Sequence, residues 1–284
     1  MEIMEKIEKL EQTASQVRRD VLRMIHAKKS GHPGGSLGVT DLLVSLYFEI
    51  MEHSPKDFDI NGKNQDLFFL SIGHVSAAWY SVLARSGYFP MKELSTFRAI
   101  DSRLQGHPAT AENLEGIRIA SGSLGQGLSV ACGAALAKKL NNDDKTVYCL
   151  MGDGEIQEGQ VWEAALFANA RKIDNLIAFV DVNGQQIDGT TFDVMGMHAI
   201  CDKWKAFGWE VMECNGNIIA DVLDTINRAK TKLGNKKPII IIMKTEMGNG
   251  VDFMMGSHKW HGVAPSDEQL QNALSQLEET LGDY

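Results

Sequence analysis

Hydrophobic residues follow two different periods along this chain, and the two periods predict helices that alternate with strands. Near the beginning, apolar side chains recur every three or four residues from Ile3 to Met24, which is the spacing of an amphipathic helix with one apolar stripe. We expect a helix over residues 1–29 that ends near Gly31. Because about three heptads are short for a coiled coil, we expect this helix to pack on the domain or on a partner chain.

Four short apolar runs farther along the chain have the length of strands, over residues 67–72, 146–151, 176–181 and 238–243. Each run is continuous rather than alternating, as expected for strands buried on both faces of a parallel sheet. Helical periods separate the runs, so the pattern predicts an α/β fold: a three-layer αβα sandwich with a mostly parallel sheet and right-handed crossovers. Since no long polar linker divides the chain, we expect residues 1–284 to form a single domain.

Two further helices are indicated by the residues that begin them. Thr40 precedes a run of leucines on one helical face. Near the end of the chain, Ser266 and Gln269 have the S-x-x-Q spacing of a capping box, in which each side chain bonds the backbone of the other residue. Leucines follow at helical spacing from Leu270 onward, so the pattern predicts the last helix there.

Charge and composition exclude several classes of protein. The 284 residues include 28 basic and 37 acidic side chains, for a net charge of −9, and nucleic-acid binding instead requires a basic surface. No stretch approaches the roughly 18 apolar residues of a membrane span, and the first ten residues alternate in charge, unlike a signal peptide. The four cysteines match no zinc-site spacing, and we expect a reducing cytoplasm.

Polar residues follow two of the predicted strands at the point where each strand ends. Gly152, Asp153 and Gly154 form a tight turn after one strand, and Asn183 follows the next strand one βαβ unit, about 30 residues, later. The carboxyl ends of parallel strands are where open α/β sheets bind ligands. A carboxylate, an amide oxygen and a loop carbonyl suit magnesium together with a phosphate-bearing ligand, and glycines at a helix N-terminus favour a bound anion.

Other phosphate-binding motifs fit this sequence less well. Gly154 and Gly159 have the glycine spacing of a P-loop, but Gln160 stands where that motif requires lysine. The glycines over residues 122–127 do not follow the Rossmann order. A Gly-Asp-Gly turn alone is usually a plain strand-to-helix connection, and Asn183 one unit later is what favours the metal site.

Taken together with motifs elsewhere in the chain, these segments resemble the thiamine diphosphate-dependent transketolase family. Residues 152–154 and Asn183 resemble the family's cofactor motif, and residues 183–189 resemble its transketolase version, N-x-x-x-I-D-G. Other matching segments follow in the family's order over nearly the whole chain: residues 29–34, 71–74, 106–108, 121–127, 243–245 and 256–262.

This resemblance implies the thiamine diphosphate-binding fold, or PP domain, with thiamine diphosphate and Mg²⁺ as cofactors and Ca²⁺ or Mn²⁺ able to substitute. It implies that Asp153, Asn183 and the main-chain carbonyl of Gln185 would coordinate the metal. The implied cofactor-binding residues are Gly122, Leu124, Gly152, Asp153, Gly154, Asn183, Lys244 and His261.

Four histidines lie in the matching motifs, and the resemblance implies a catalytic role for each. His32, His74 and His107 would line the cavity over the thiazolium ring, and His261 would reach the diphosphate and the sugar. Imidazoles suit the proton transfers on sugar hydroxyls that ketol transfer requires. A single histidine beside Gly-Pro is often only a loop residue, so the functional interpretation depends on all four occurring together.

Glu158 and Glu163 follow the Gly-Asp-Gly turn, and two interpretations of them remain open. They could form a solvated helix face whose first-turn charge the helix dipole favours. The resemblance suggests instead an acidic cluster at a subunit interface that links two active sites.

The chain is about half as long as a transketolase with all its domains. In the family, the glutamate that activates the cofactor and the residues that hold a sugar phosphate lie in a following pyrimidine-binding domain. We therefore expect this chain to be the N-terminal subunit of a split transketolase, inactive alone. The expected partner is a C-terminal subunit with the pyrimidine-binding and C-terminal domains, in a heterotetramer of two plus two.

The function implied is transfer of a two-carbon ketol unit from a ketose, usually phosphorylated, to an aldose in carbohydrate metabolism such as the pentose phosphate reactions. Three alternatives remain: a subunit of a transketolase for an unusual sugar, a subunit resembling deoxyxylulose-phosphate synthase, and a non-catalytic cofactor-binding module. The four histidines argue against the last alternative, because a mere binding module does not need them.

Overall fold

A long N-terminal helix, α1 (Glu2–Lys28), begins the computed structural model, which describes residues 2–284. From Leu10 to Met24 its apolar stripe is buried against the rest of the chain, with Val17 and Val21 fully covered, whereas Ile3 at its beginning is exposed. The helix ends because Lys29 adopts a left-handed conformation with φ of 51°. The amides of Lys29 and the next residue then bond back to carbonyls of the last turn, which is the Schellman arrangement of a helix C-terminus.

Five parallel strands form the central sheet, in the spatial order β1-β2-β3-β7-β6. A separate two-stranded antiparallel hairpin, β4 with β5, follows β3. The strands are β1 (Leu67–Leu70), β2 (Val147–Gly152), β3 (Leu176–Val182), β4 (Gln185–Gln186), β5 (Gly189–Thr190), β6 (Glu210–Asn215) and β7 (Ile239–Lys244).

Helices cover both faces of this sheet. Those that follow α1 are α2 (Pro33–Gly38), α3 (Thr40–Ser45), α4 (Ser76–Arg85), α5 (Gly127–Leu140), α6 (Gly159–Ala170), α7 (Thr191–Met195), α8 (Ile200–Ala206), α9 (Ile219–Lys230) and α10 (Asp267–Gln276). Alternate residues of β2 enter two different apolar cores: Tyr148 packs with α1, α4 and α9, and Cys149 packs with α5 and α6. The predicted three-layer αβα sandwich is therefore confirmed, and every pairing in its sheet is parallel.

All four predicted strands are present, with ends shifted by one or two residues. The strand that the hydrophobic pattern missed is β6, at the edge of the sheet beside β7. Only Cys214 of β6 is buried, so this strand lacks the continuous apolar run that marks the inner strands. β1 lies at the other edge of the sheet but all of its residues are buried, so the weak signal of β6 comes from its exposure rather than from its edge position.

The glycine-rich segment after α1 contains a helix that its composition does not predict. Helix α2 begins at Pro33, whose missing amide hydrogen costs nothing at the first helical position. Close packing requires a glycine at position 34 of this helix. A Cβ there would lie 2.5 Å from Met247 Cγ and 2.9 Å from the Trp260 carbonyl oxygen. The predicted capping box at the start of α10 is confirmed, since Ser266 and Gln269 bond each other's backbone.

Within residues 2–284, no helix combines the length and the apolar character needed to cross a bilayer. The four cysteines are all free thiols, and three of them are buried.

Candidate active site

A cavity of about 330 Å³ opens at the carboxyl ends of β2 and β3. Segments that lie far apart in the sequence contribute its walls. It brings together twelve of the fourteen residues that the sequence singled out: His32, His74, His107, Gly122, Leu124, Gly152, Asp153, Gly154, Glu158, Asn183, Gln185 and His261.

Asp153 lies at the base of this cavity with its carboxylate buried. One oxygen accepts a hydrogen bond from the Gly154 amide at 2.8 Å, and the other accepts from the Gly184 amide at 2.7 Å. Burial, together with the nearby charge of Asp181, raises the pKa of Asp153 to about 7. The carboxyl groups of Asp153 and Asp181 therefore repel each other when both are ionised, and a bound cation would reduce this repulsion.

Asn183 is oriented by its neighbours on the same loop. Its amide nitrogen donates to Asp181 at 2.7 Å, and its side-chain oxygen accepts from the Gln185 amide at 2.9 Å. Asp181 also accepts a hydrogen bond from Thr245, and its complete burial raises its pKa to about 6. Asp181 was not predicted as a site residue, although an aspartate near the end of an otherwise apolar run is a usable signal.

The donor set in this corner fits a hard cation. In the described part of the chain, no cluster of three or more His, Cys, Asp or Glu side chains could hold a metal. A metal here would therefore rest on one carboxylate, one amide oxygen and a carbonyl, with phosphate oxygens completing its shell. Magnesium prefers this mixture of few protein oxygens and substrate phosphates.

The four histidines form a cluster that lines the same cavity. The centroid of the His32 ring lies 5.2 Å from that of His74, 6.1 Å from that of His107 and 5.4 Å from that of His261. Burial lowers the pKa of all four, to about 4 for His32. The rings are therefore neutral at pH 7, so each can both donate and accept a hydrogen bond. His32 Nδ1 is buried without a partner among residues 2–284.

Arg98 lies beside the histidines. It was not predicted as a site residue, because nothing in the sequence distinguishes it from other loop arginines. Its guanidinium donates to Ser30 Oγ at 2.8 Å and to the Gly106 carbonyl at 3.5 Å. Ser30 and Gly106 belong to the loops that carry His32 and His107. After burial, the charge of Arg98 is a further cause of the low pKa of both histidines.

The loop over residues 121–127 forms another part of the cavity lining. Its backbone lies very close to Gly73 and to the His107 ring. Gly122 has a φ of 131°, and a Cβ on it would lie 3.0 Å from the His107 ring. A Cβ on Gly73 would lie 2.7 Å from the Gly122 amide nitrogen. Leu124 presents its side chain to the cavity while remaining partly exposed.

Two of the expected residues lie outside the cavity. Lys244 ends β7 with a side chain that is 76% exposed, and its ammonium lies 3.9 Å from a Glu213 oxygen. Glu163 is exposed on α6, whereas Glu158 is exposed at the cavity rim. Within residues 2–284 neither of these two glutamates has an ion-pair partner, so the solvated-face and interface interpretations both remain open.

Residues 10–280 match a family described as "Transketolase, thiamine diphosphate binding domain". The chain is 38% identical over 278 residues to an apulose-4-phosphate transketolase subunit of Phocaeicola vulgatus, an alignment that covers 97% of this chain and 96% of that protein. It is also 38% identical over 269 residues to the 6-deoxy-6-sulfo-D-fructose transketolase subunit SqwG of Clostridium sp. (strain MSTE9), covering 95% and 96% of the two chains.

Solved transketolases have the same fold over most of this chain. The structure from Campylobacter jejuni has a TM-score of 0.87 and 35% identity, and that from Leishmania mexicana has a TM-score of 0.87 and 29% identity. The similarity covers 94% and 96% of this chain respectively, but 42% of each solved chain.

Proposed function

This chain belongs to the transketolase family through its thiamine diphosphate-binding domain, and we propose that it is the N-terminal subunit of a split enzyme that transfers a two-carbon ketol unit from a ketose phosphate to an aldose phosphate. The observation that carries this proposal is the shared cavity. Asp153 and Asn183, which would hold a cation, line it together with the four histidines. A cofactor-binding module alone would need only the first half.

The metal half of the site would hold Mg²⁺, or Ca²⁺ or Mn²⁺ in its place, through Asp153, Asn183 and the Gln185 carbonyl. The remaining cofactor contacts would come from residues around the same cavity: Gly122, Leu124, Gly152, Gly154 and His261. We leave Lys244 out of this set because its ammonium lies beside Glu213 rather than in the cavity. Thiamine diphosphate, when bound, supplies the carbanion chemistry that ketol transfer requires.

The histidine half of the site would move protons on the sugar. Because burial keeps His32, His74, His107 and His261 neutral, each ring can accept a proton from a sugar hydroxyl, and the imidazolium formed can return that proton to the sugar oxygen. A fixed donor at a developing oxyanion lowers the barrier of such steps. Nδ1 of His32 is buried and has no hydrogen-bond partner among residues 2–284, so a bound ligand could supply one.

We further propose that residues 1–284 act as a single domain that is completed by a second polypeptide. Apolar side chains lie exposed beside the cavity, with Ile187 at its rim and Phe192 and Met195 on α7. A partner with a pyrimidine-binding domain would cover them, and Glu158 and Glu163 would lie at the interface of a two-plus-two heterotetramer. The relatives from Phocaeicola vulgatus and Clostridium are both named as transketolase subunits, which supports a partner.

A transketolase for an unusual sugar is the second candidate, since relatives are named for apulose-4-phosphate and 6-deoxy-6-sulfo-D-fructose. The two candidates share the site on this chain and differ only in the sugars used. Activity assays of the assembled enzyme with a pentulose phosphate and with a sulfonated ketose would distinguish them.

Calorimetric titration of the chain with thiamine diphosphate and Mg²⁺ tests the cofactor site. We expect binding that requires the metal and that Asp153→Ala abolishes, whereas Asp144→Ala, at an exposed position, leaves it unchanged. Unchanged affinity in Asp153→Ala would refute the site. Ketol transfer should appear only after the partner chain is added, and full activity of the pure chain would refute the split architecture.

A further inference from the structure

We propose that Glu155 is a positioning residue that fixes the loop over residues 121–127 against the turn at Asp153. The inference rests on the proposed cofactor site, since these are the two segments that would hold opposite ends of the cofactor. It concerns a side chain that no motif in the sequence singled out.

Glu155 is 2% exposed and uses both carboxylate oxygens inside the protein. One oxygen accepts hydrogen bonds from the Gly125 amide at 2.7 Å and from the Ser71 hydroxyl. The other accepts from the Gly152 amide at 3.2 Å. The three donors belong to three different segments, so one carboxylate joins the end of β1, the 121–127 loop and the end of β2.

Ser71 extends this junction to a second point on the loop. Its hydroxyl oxygen accepts a hydrogen bond from the Gly127 amide at 3.0 Å while its proton is donated to Glu155. A Cβ on Gly127 would lie 2.3 Å from Ser71 Cβ, so the backbone approaches here more closely than any side chain would allow. The two links fix the loop at residues 125 and 127, on the side that leads into α5.

The chemistry of the junction requires a carboxylate rather than any polar side chain. Every partner of Glu155 is a donor, and in the described chain no lysine or arginine forms an ion pair with it. A glutamine would place an NH₂ group against one of these donors. A buried carboxylate that accepts hydrogen bonds only from N–H and O–H groups holds the segments of those groups in a defined arrangement, because each hydrogen bond is directional. Loss of the carboxylate leaves each donor unpaired.

The junction is separate from the hydrogen bonds that hold Asp153 itself. Those come from Gly154, Gly184 and Thr191, and none of them passes through Glu155. Loss of the Glu155 carboxylate should therefore loosen the 121–127 loop while the metal corner keeps its own support. A merely structural role would instead weaken both halves of the site together.

Two probes titrated against the full chain distinguish these roles. Inorganic pyrophosphate with Mg²⁺ requires only the metal corner, whereas thiamine diphosphate with Mg²⁺ requires the loop as well. In Glu155→Gln and Glu155→Ala we expect affinity for thiamine diphosphate to fall about tenfold or more, with affinity for pyrophosphate unchanged. Glu8→Gln, at an exposed position on α1, should leave both affinities unchanged.

Equal loss for both probes, or no loss for either, would overturn the inference. If the Glu155 variants do not fold, Ser71→Ala removes one link of the junction and should give the same selective loss to a smaller extent. Amide hydrogen exchange tests the junction without any ligand: protection of Gly125 and Gly127 should fall in Glu155→Gln, and unchanged protection contradicts it. If the wild-type chain binds neither probe, the proposed cofactor site fails, while the exchange result still decides the role of Glu155.

Discussion

His32 and His261 hold their rings edge to face with 5.4 Å between centroids, although one lies near the beginning of the chain and the other near its end. Helix α2 follows His32 directly, and its Gly34 packs against Met247 and the carbonyl of Trp260. The Gly34 carbonyl also accepts a hydrogen bond from the Gly248 amide at 2.9 Å. The C-terminal loop that carries His261 is thereby held against the first helical turns.

Removal of the His32 ring should lower the rate of catalysis without weakening cofactor binding. In the enzyme assembled with its partner, we expect His32→Ala to lower kcat by about 100-fold or more, because a neutral donor and acceptor beside the sugar is lost. Affinity for thiamine diphosphate should change little, since His32 is not among the expected metal ligands. Steady-state kinetics and calorimetry measure the two effects. His26→Ala, which removes a surface contact with Asp267, is the control, and unchanged kcat in His32→Ala would contradict the assignment.

Arg98 should hold down the pKa of the histidines beside it. Removing its charge in Arg98→Leu removes the repulsion of a protonated imidazole, so the pKa of His32 and of His107 should rise. Burial, together with the rings of His261 and His107, should still keep the pKa of His32 below its ordinary value. NMR titration of the histidine ring protons measures this change. Arg98→Lys keeps the charge and should keep both values low; an unshifted pKa in Arg98→Leu would exclude the electrostatic role.

Asp153 should make the metal-free chain less stable as pH rises. Because its folded-state pKa is about 7 and its unfolded value is ordinary, the folded chain binds the extra proton. The stabilisation is complete below the unfolded pKa and is lost as pH rises through about 7. Relative to wild type, the stability of Asp153→Asn should rise between about pH 4 and pH 7, by at most about 4 kcal/mol, and the difference should then stay constant. Chemical denaturation at several pH values measures the difference.

Two comparisons check this interpretation. Asp144→Asn, at an exposed position, should track the wild type at every pH. Mg²⁺ with thiamine diphosphate should reverse the trend in the wild type, since the metal binds the ionised carboxylate. A constant difference between Asp153→Asn and wild type across the range would show that Asp153 does not titrate there.

The buried ion pair between Arg85 and Asp20 should be costly to break. Asp20 is fully buried and Arg85 is 7% exposed, with 2.5 Å between Arg85 Nε and an Asp20 oxygen. Arg85→Met leaves that carboxylate without its cation, and we expect the free energy of unfolding to fall by about 3–5 kcal/mol at neutral pH. The loss should shrink in acid, where Asp20 is protonated. Denaturation curves measure it; Lys9→Ala, which breaks the exposed pair with Glu5, should cause no measurable change.

The sequence by itself determined most of the framework. Continuous apolar runs predicted β1, β2, β3 and β7, because each of these strands is buried on both faces and nearly all of its side chains are apolar. The same pattern predicted that Asp153 and Asn183 follow neighbouring strands, since a βαβ unit returns the chain to the same edge of the sheet. The capping box at Ser266 is equally local, so its residues alone specify it.

Only the tertiary structure decided which loops meet at that edge and what they do to one another. Nothing near Arg98 or Glu155 in the sequence indicates their partners, because those partners lie on segments that the fold alone brings together. The contact between the exposed side chains of Lys244 and Glu213 likewise joins residues of two strands that the fold pairs. Burial, and with it every shifted pKa in the site, arises from packing between distant segments, whereas periodicity records only what each residue shares with its neighbours along the chain.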